Sequence, residues 1–168
     1  MSNAFQKIFD LKKQLQKTVQ EEGGKILQVE LKKTLDLMPE VEAIVWTQNH
    51  SVYNDETYEF ESSDFAAIPT KDCPWREAYI KELNKVYGGG EEEAILNNPN
   101  PSVYAEADYS LRAVAKLLPK HAERINFVRN TLKELTENVP KEVLETFDDV
   151  AARATRDGLT FEEYDYGH

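Results

Sequence analysis

An α+β fold, with helices covering a four-stranded antiparallel sheet, is what the sequence predicts. Three observations lead there. Apolar residues recur at helical spacing near the N-terminus and again between residues 75 and 147. Alternation with a period of two replaces that spacing over about 41–62 and 150–165. Each alternating stretch folds back around a polar connection, and because a lone hairpin is marginal in water, two hairpins most simply unite into one sheet.

The elements follow in chain order. Phe5, Ile8, Leu11, Leu15 and Val19 recur every three or four residues, one stripe of an amphipathic helix. Ser2 or Asn3 can cap it, and Gly23-Gly24 is expected to end it. Ile26, Leu27, Leu31, Leu35 and Met38 form a second stripe that stops at Pro39, so the N-terminus reads as a helical hairpin. Val41, Ala43 and Val45 then alternate with Glu42, Ile44 and Trp46, and the largely apolar character of both faces predicts a central strand over 41–48. Tyr58 and Phe60 alternate with Thr57, Glu59 and Glu61 in a half-buried strand over 57–62. The connection between them spans about eight residues, longer than the usual two to five.

The chain reads as irregular from Pro69 to Pro74. Pro74 suits the first turn of a helix carrying Trp75, Ala78, Tyr79, Leu83 and Val86, closed by Gly88-Gly89-Gly90. The run EEEAILNNPNPSVYAEAD, with its Asn and Pro cluster, marks 88–104 as the place for a mobile insertion within a single domain spanning 1–168. Leu111, Val114, Ala115 and Leu118 form a further helical stripe, Pro119 kinks it or starts a new helix, and Ile125, Val128, Leu132 and Leu135 continue the pattern. Pro140 opens a short last helix with Val143, Leu144 and Phe147. Strands over 150–155 and 159–164 flank Arg156-Asp157-Gly158, a tight turn in which glycine accepts positive φ. Helices are expected on the sheet face carrying Phe60 and Phe161.

Composition narrows the function. The formal net charge of −11 opposes polyanions, so neither direct nucleic-acid binding nor adsorption to an anionic membrane is expected. The one cysteine, Cys73, cannot form an internal disulfide, and no apolar run approaches the roughly 20 residues of a membrane span. With no signal-peptide pattern at the N-terminus, a cytoplasmic protein is expected.

Catalytic patterns are weak. Asp55, Glu56, Glu59, Glu61, Glu162, Glu163 and Asp165 offer oxygen ligands, but not at the spacing of a calcium loop, and alternating Glu on strands reads as a solvent face. His50 beside Asp55, or His168 beside Asp165, are the pairs available for proton transfer. Cys73 sits between Asp72 and Pro74, neighbours that do not lower a thiol pKa. The Gly88–Gly90 run is followed by three Glu residues, which repel a phosphate. No catalytic residue, metal ligand or cofactor is assigned.

The stretch PEVEAIVWTQNHSVYNDETYEF resembles the motif P-E-(V/L)-x-x-(I/V)-x-W-T-Q-Y-T-P-Y-F-N-D-G-x-x-C-x-F of a family of small, uncharacterised proteins from bacteriophage and bacterial genomes. The ending ETFDDVAARATRDGLTFEEYDYGH is similar to that family's close, a helix followed by two strands around D-G and an E-E-Y-D-H finish. Trp46, Thr47, Gln48, Asn54, Asp55 and Phe60 fall on the first motif, and Asp157, Gly158, Glu162, Glu163, Tyr164 and Asp165 on the second. The chain departs from it at Asn49, His50, Ser51, Val52 and Tyr53, at Glu56 in place of Gly, at Tyr58 in place of Cys, and at Tyr166, with His168 two places later. The resemblance implies the fold and a phage-type setting, and no established activity.

Gln48, Asn49, His50, Tyr53, Asn54 and Asp55 crowd the first connection, and Glu163 and Asp165 close the second hairpin. These eight are the candidate binding residues. The expectation is an accessory protein that binds another macromolecule, a protein rather than nucleic acid, through an acidic and aromatic surface. A specific version inhibits a host nucleic-acid-binding or defence protein. The alternative is a small metal-dependent enzyme or nucleotide-binding protein using the hairpin carboxylates.

Overall fold

The computed structural model describes residues 3–53, 57–87, 107–147 and 149–163. Helix α1 runs Asn3–Asp36, and strands β1 (Val41–Tyr53), β2 (Thr57–Ser62) and β3 (Ala66–Pro69) follow. Helices α2 (Arg76–Tyr87), α3 (Ala107–Leu117), α4 (Ala122–Asn138) and the short α5 (Lys141–Leu144) lead to β4 (Val150–Thr155) and β5 (Gly158–Glu163). Pro119 starts a single 3₁₀ turn, Pro119–His121, between α3 and α4, where its missing N–H costs nothing.

The two hairpins unite, as alternation predicts, but in a sheet of five strands. The β1 strand is central. It pairs with β4 over Ile44–Gln48 on one side, and on the other with β3 at its start and β2 at its end. The strand missing from the sequence reading is β3, whose four residues are all buried. A short run with both faces covered has no alternation to reveal it. Both faces of β1 are covered as well: Val41, Ala43, Ile44, Val45 and Trp46 are buried, with Trp46 edge-on to Phe65 at 4.7 Å.

The expected helical hairpin is instead one helix. Gly23-Gly24 does not end it; the pair marks where α1 crosses the chain after α4. A Cβ on Gly23 would lie 3.3 Å from the Val143 methyls, and one on Gly24 would lie 3.3 Å from Phe147 Cζ. Close packing offsets the helix-propensity cost of about 1 kcal/mol per glycine. Beyond the glycines Leu27, Leu31 and Leu35 are buried on the core, whereas Asn3–Glu22 is exposed apart from half-buried Val19.

Arg156 ties the C-terminal end of α1 to the β4–β5 turn. Its guanidinium donates to the carbonyls of Leu35 (2.6 Å), Met38 (3.2 Å) and Val41 (2.9 Å). Carbonyls near a helix end lack intrahelical donors, and a cation there also meets the negative end of the dipole. Gly158 has φ of +144°, as the turn requires. Phe60 packs half-buried on the core, but Phe161 is more than a third exposed and lies against Phe147 at 4.5 Å between ring centres. The expected insertion at 88–104 lies outside the described residues.

Candidate functional site

The candidate residues cluster on the first hairpin, and the structure redraws that hairpin. The polar connection read as an eight-residue turn is mostly strand. β1 continues to Tyr53 and β2 resumes at Thr57, with His50 opposite Phe60 and Tyr53 opposite Thr57. Asn54 and Asp55 lie outside the described residues, as do Asp165 and His168. Polar side chains at Asn49, His50 and Ser51 hid the strand, because period-two reading depends on apolar residues to mark one face.

This register makes a ribbon. Pairing with β4 ends at Gln48, opposite Val150, so among the described residues Asn49–Tyr53 is paired only with β2. The base is clamped: Ser63 N–H donates to the Thr47 carbonyl at 2.8 Å, and the Ser63 hydroxyl accepts from Thr47 N–H at 2.9 Å. Over Val41–Ser62 the sequence carries Glu42, Asp55, Glu56, Glu59 and Glu61 and no Lys or Arg. Exposed Glu61 sits opposite Asn49, and Glu163 ends β5 opposite Val150 in the same cross-strand row as Gln48.

Two candidates face inward. Gln48 is 1% exposed, and its amide donates to the carbonyls of Leu144 (2.7 Å) and Phe147 (3.0 Å) while its Oε1 accepts from Trp46 Nε1 (3.0 Å). It fastens the end of α5 to the sheet. Asn49 is buried too, within β1 and not in the polar connection expected from the sequence.

The catalytic alternatives find little geometry. Among the described residues no three His, Cys, Asp or Glu side chains converge as a metal site. Cys73 is buried, and burial pushes its thiol up from 9.0 to about 11, so it is a thiol and not a thiolate near neutrality. No described helix is long and apolar enough to cross a membrane.

One cavity lies elsewhere, lined by residues that no sequence pattern singles out as a site. It measures about 320 Å³ and lies beside α3 and α4, over Phe65, Leu111 and Leu132. Arg129 beside it is already engaged, holding Asp108 through Nε at 3.0 Å and Nη2 at 3.3 Å. The cavity lining carries three acidic side chains (Asp64, Asp108, Glu137) and three basic ones (Arg112, Arg129, Lys133), so it offers no strong net field to an ionic ligand.

No family model, curated protein or solved structure matches this chain.

Proposed function

We propose that this is a non-enzymatic accessory protein, of the phage type its motifs resemble, that binds a basic segment of a partner protein along the β1–β2 ribbon. The observation that carries the reading is the pairing pattern: past Gln48, β1 has β2 on one side and no described strand on the other. Open strand edges accept an added strand through backbone hydrogen bonds. The carboxylates of this segment, uncompensated within it by any Lys or Arg, select a cationic partner and raise the rate of encounter. A protein that normally grips nucleic acid presents such a segment, and occupying it would inhibit that protein.

The test is capture of partners from bacterial lysate on the immobilised full chain at low and moderate salt. A stoichiometric basic partner is expected, lost on Glu61→Lys combined with Asp55→Lys while the thermal transition stays in place. Absence of any stoichiometric partner at both salt levels refutes the reading. Metal-dependent thermal stabilisation abolished by Asp55→Asn would favour the metal-dependent enzyme instead.

A further inference from the structure

The exposed arm of α1 carries a second apolar stripe, distinct from the one that packs on the core. Phe5, Ile8, Lys12, Leu15, Val19, Glu22, Ile26 and Val29 are spaced three and four residues apart without interruption. That is the a/d pattern of a coiled coil sustained for roughly three and a half heptads, about 36 Å of helix. Phe5, Ile8, Leu15, Ile26 and Val29 are each more than half exposed. Leu27, Leu31 and Leu35 point to the core from a face roughly a third of a turn away, so the stripe, half-buried Val19 apart, is free of the body that anchors the helix. Twenty residues of helix without tertiary contacts are marginal on their own in water.

We infer that this stripe pairs with the same stripe of a second copy, antiparallel, about a two-fold axis near Lys17. The charges decide both partner and direction. The eight positions are symmetric about residue 17: Phe5 meets Val29, Ile8 meets Ile26, Leu15 meets Val19, and Lys12, the basic position, meets Glu22, the acidic one. Each pair occurs twice across the axis and matches an a position with a d position. A parallel pair would stack Lys12 on Lys12 and Glu22 on Glu22. Sliding the antiparallel pair by one heptad sets Phe5 against Glu22 and Lys12 against Leu15, and strands Ile26 and Val29. Off the stripe, polar groups are satisfied within the helix: Lys17 lies 4.0 Å from Glu21, and Lys13 covers the Phe9 ring at 4.7 Å. Among the described residues Lys12 and Glu22 form no ion pair within the chain.

Sedimentation equilibrium and light scattering on the full chain test this. The expected mass is twice 19.3 kDa. Leu15→Asp should return it to the monomer mass while the near-ultraviolet circular dichroism of buried Trp46 and Trp75 persists. Lys12→Glu alone and Glu22→Lys alone should each weaken the dimer by about tenfold, and the double variant should restore it. A parallel dimer keeps like charges stacked in all of these and shows no rescue. The inference is overturned by a chain that stays monomeric up to roughly 100 μM. A dimer indifferent to Leu15→Asp, a pair of charge reversals without rescue, or a monomer that instead adsorbs to anionic phospholipid vesicles also overturns it. None of these results bears on the ribbon, whose test reads partner capture.

Discussion

Gln48 offers the sharpest division between holding the fold and binding a partner. Replacing it by Leu keeps nearly the same volume and removes three hydrogen bonds at once. The losses are unequal. The Leu144 carbonyl still accepts from Phe147 N–H at 3.1 Å, whereas the indole N–H of Trp46 and the Phe147 carbonyl lose their Gln48 partner. One buried and one part-buried group orphaned at about 1–3 kcal/mol each, less what a buried Leu regains, give a loss of about 3 kcal/mol. For a domain of this size that is a fall of about 6–12 °C in Tm. Urea denaturation followed by tryptophan fluorescence measures it, with the m-value unchanged. A loss below about 1 kcal/mol would refute the assignment of Gln48 to the frame and return it to the surface set. Gln48→Glu sharpens the test. Its carboxylate can still accept from Trp46 but turns an oxygen toward two carbonyls, so at neutral pH it should cost more than Leu. A carboxyl in that place holds its proton more tightly folded than unfolded. Its penalty is therefore absent well below pH 4.3 and grows as pH climbs through that unfolded value.

Two further outcomes follow from the same geometry. Gly158→Val should cost about 1–3 kcal/mol, because φ of +144° suits only glycine and a Cβ there meets Gln28 Nε2 at 3.1 Å; thermal denaturation checks it, with Thr155→Val as a neighbouring control. Cys73, held as a thiol to about pH 11 in the fold, contributes stability that is complete below about pH 9 and drains away as pH rises toward 11, since only the unfolded chain ionises there. Cys73→Ala should flatten that part of the pH–stability profile, and the native thiol should resist alkylation at pH 8 until the chain is unfolded.

What the sequence disclosed depended on whether a residue's environment leaves a periodic trace. The central strand at 41–46 and the turn at Gly158 were legible, because alternation and positive φ are local demands. The buried β3 left none, since four covered residues look alike in any conformation. Asn49 to Ser51 misled because a strand continues through polar residues that carry no apolar alternation, and Asn49 is buried in it. Arg156 reads as a turn residue; that its guanidinium gathers three carbonyls between the end of α1 and the start of β1 depends on a contact spanning more than a hundred residues, which no window captures. Of the candidate set, Gln48 fell to the frame for the same reason: its two carbonyl partners lie 96 and 99 residues away.

The glycine pair shows how one misread residue alters a functional reading. Taken as a helix stop, Gly23-Gly24 splits the N-terminus into two short helices whose stripes have no fixed phase between them. Taken as a crossing point, where Val143 and Phe147 press into the space a side chain would fill, it leaves α1 continuous from Asn3 to Asp36. Continuity is what sets Ile26 and Val29 in phase with Phe5, Ile8, Leu15 and Val19, and so gives Ile8 and Phe5 their apolar partners across residue 17. The same glycines that let the helix settle on the core therefore extend the outer stripe across the anchored and projecting halves. A break there would leave six positions on the arm, Lys12 and Glu22 among them, and would strand Phe5 and Ile8 with no apolar position in phase to meet them. The apolar pairs that flank the Lys12–Glu22 contacts, Phe5 with Val29 and Ile8 with Ile26, exist only on the unbroken helix.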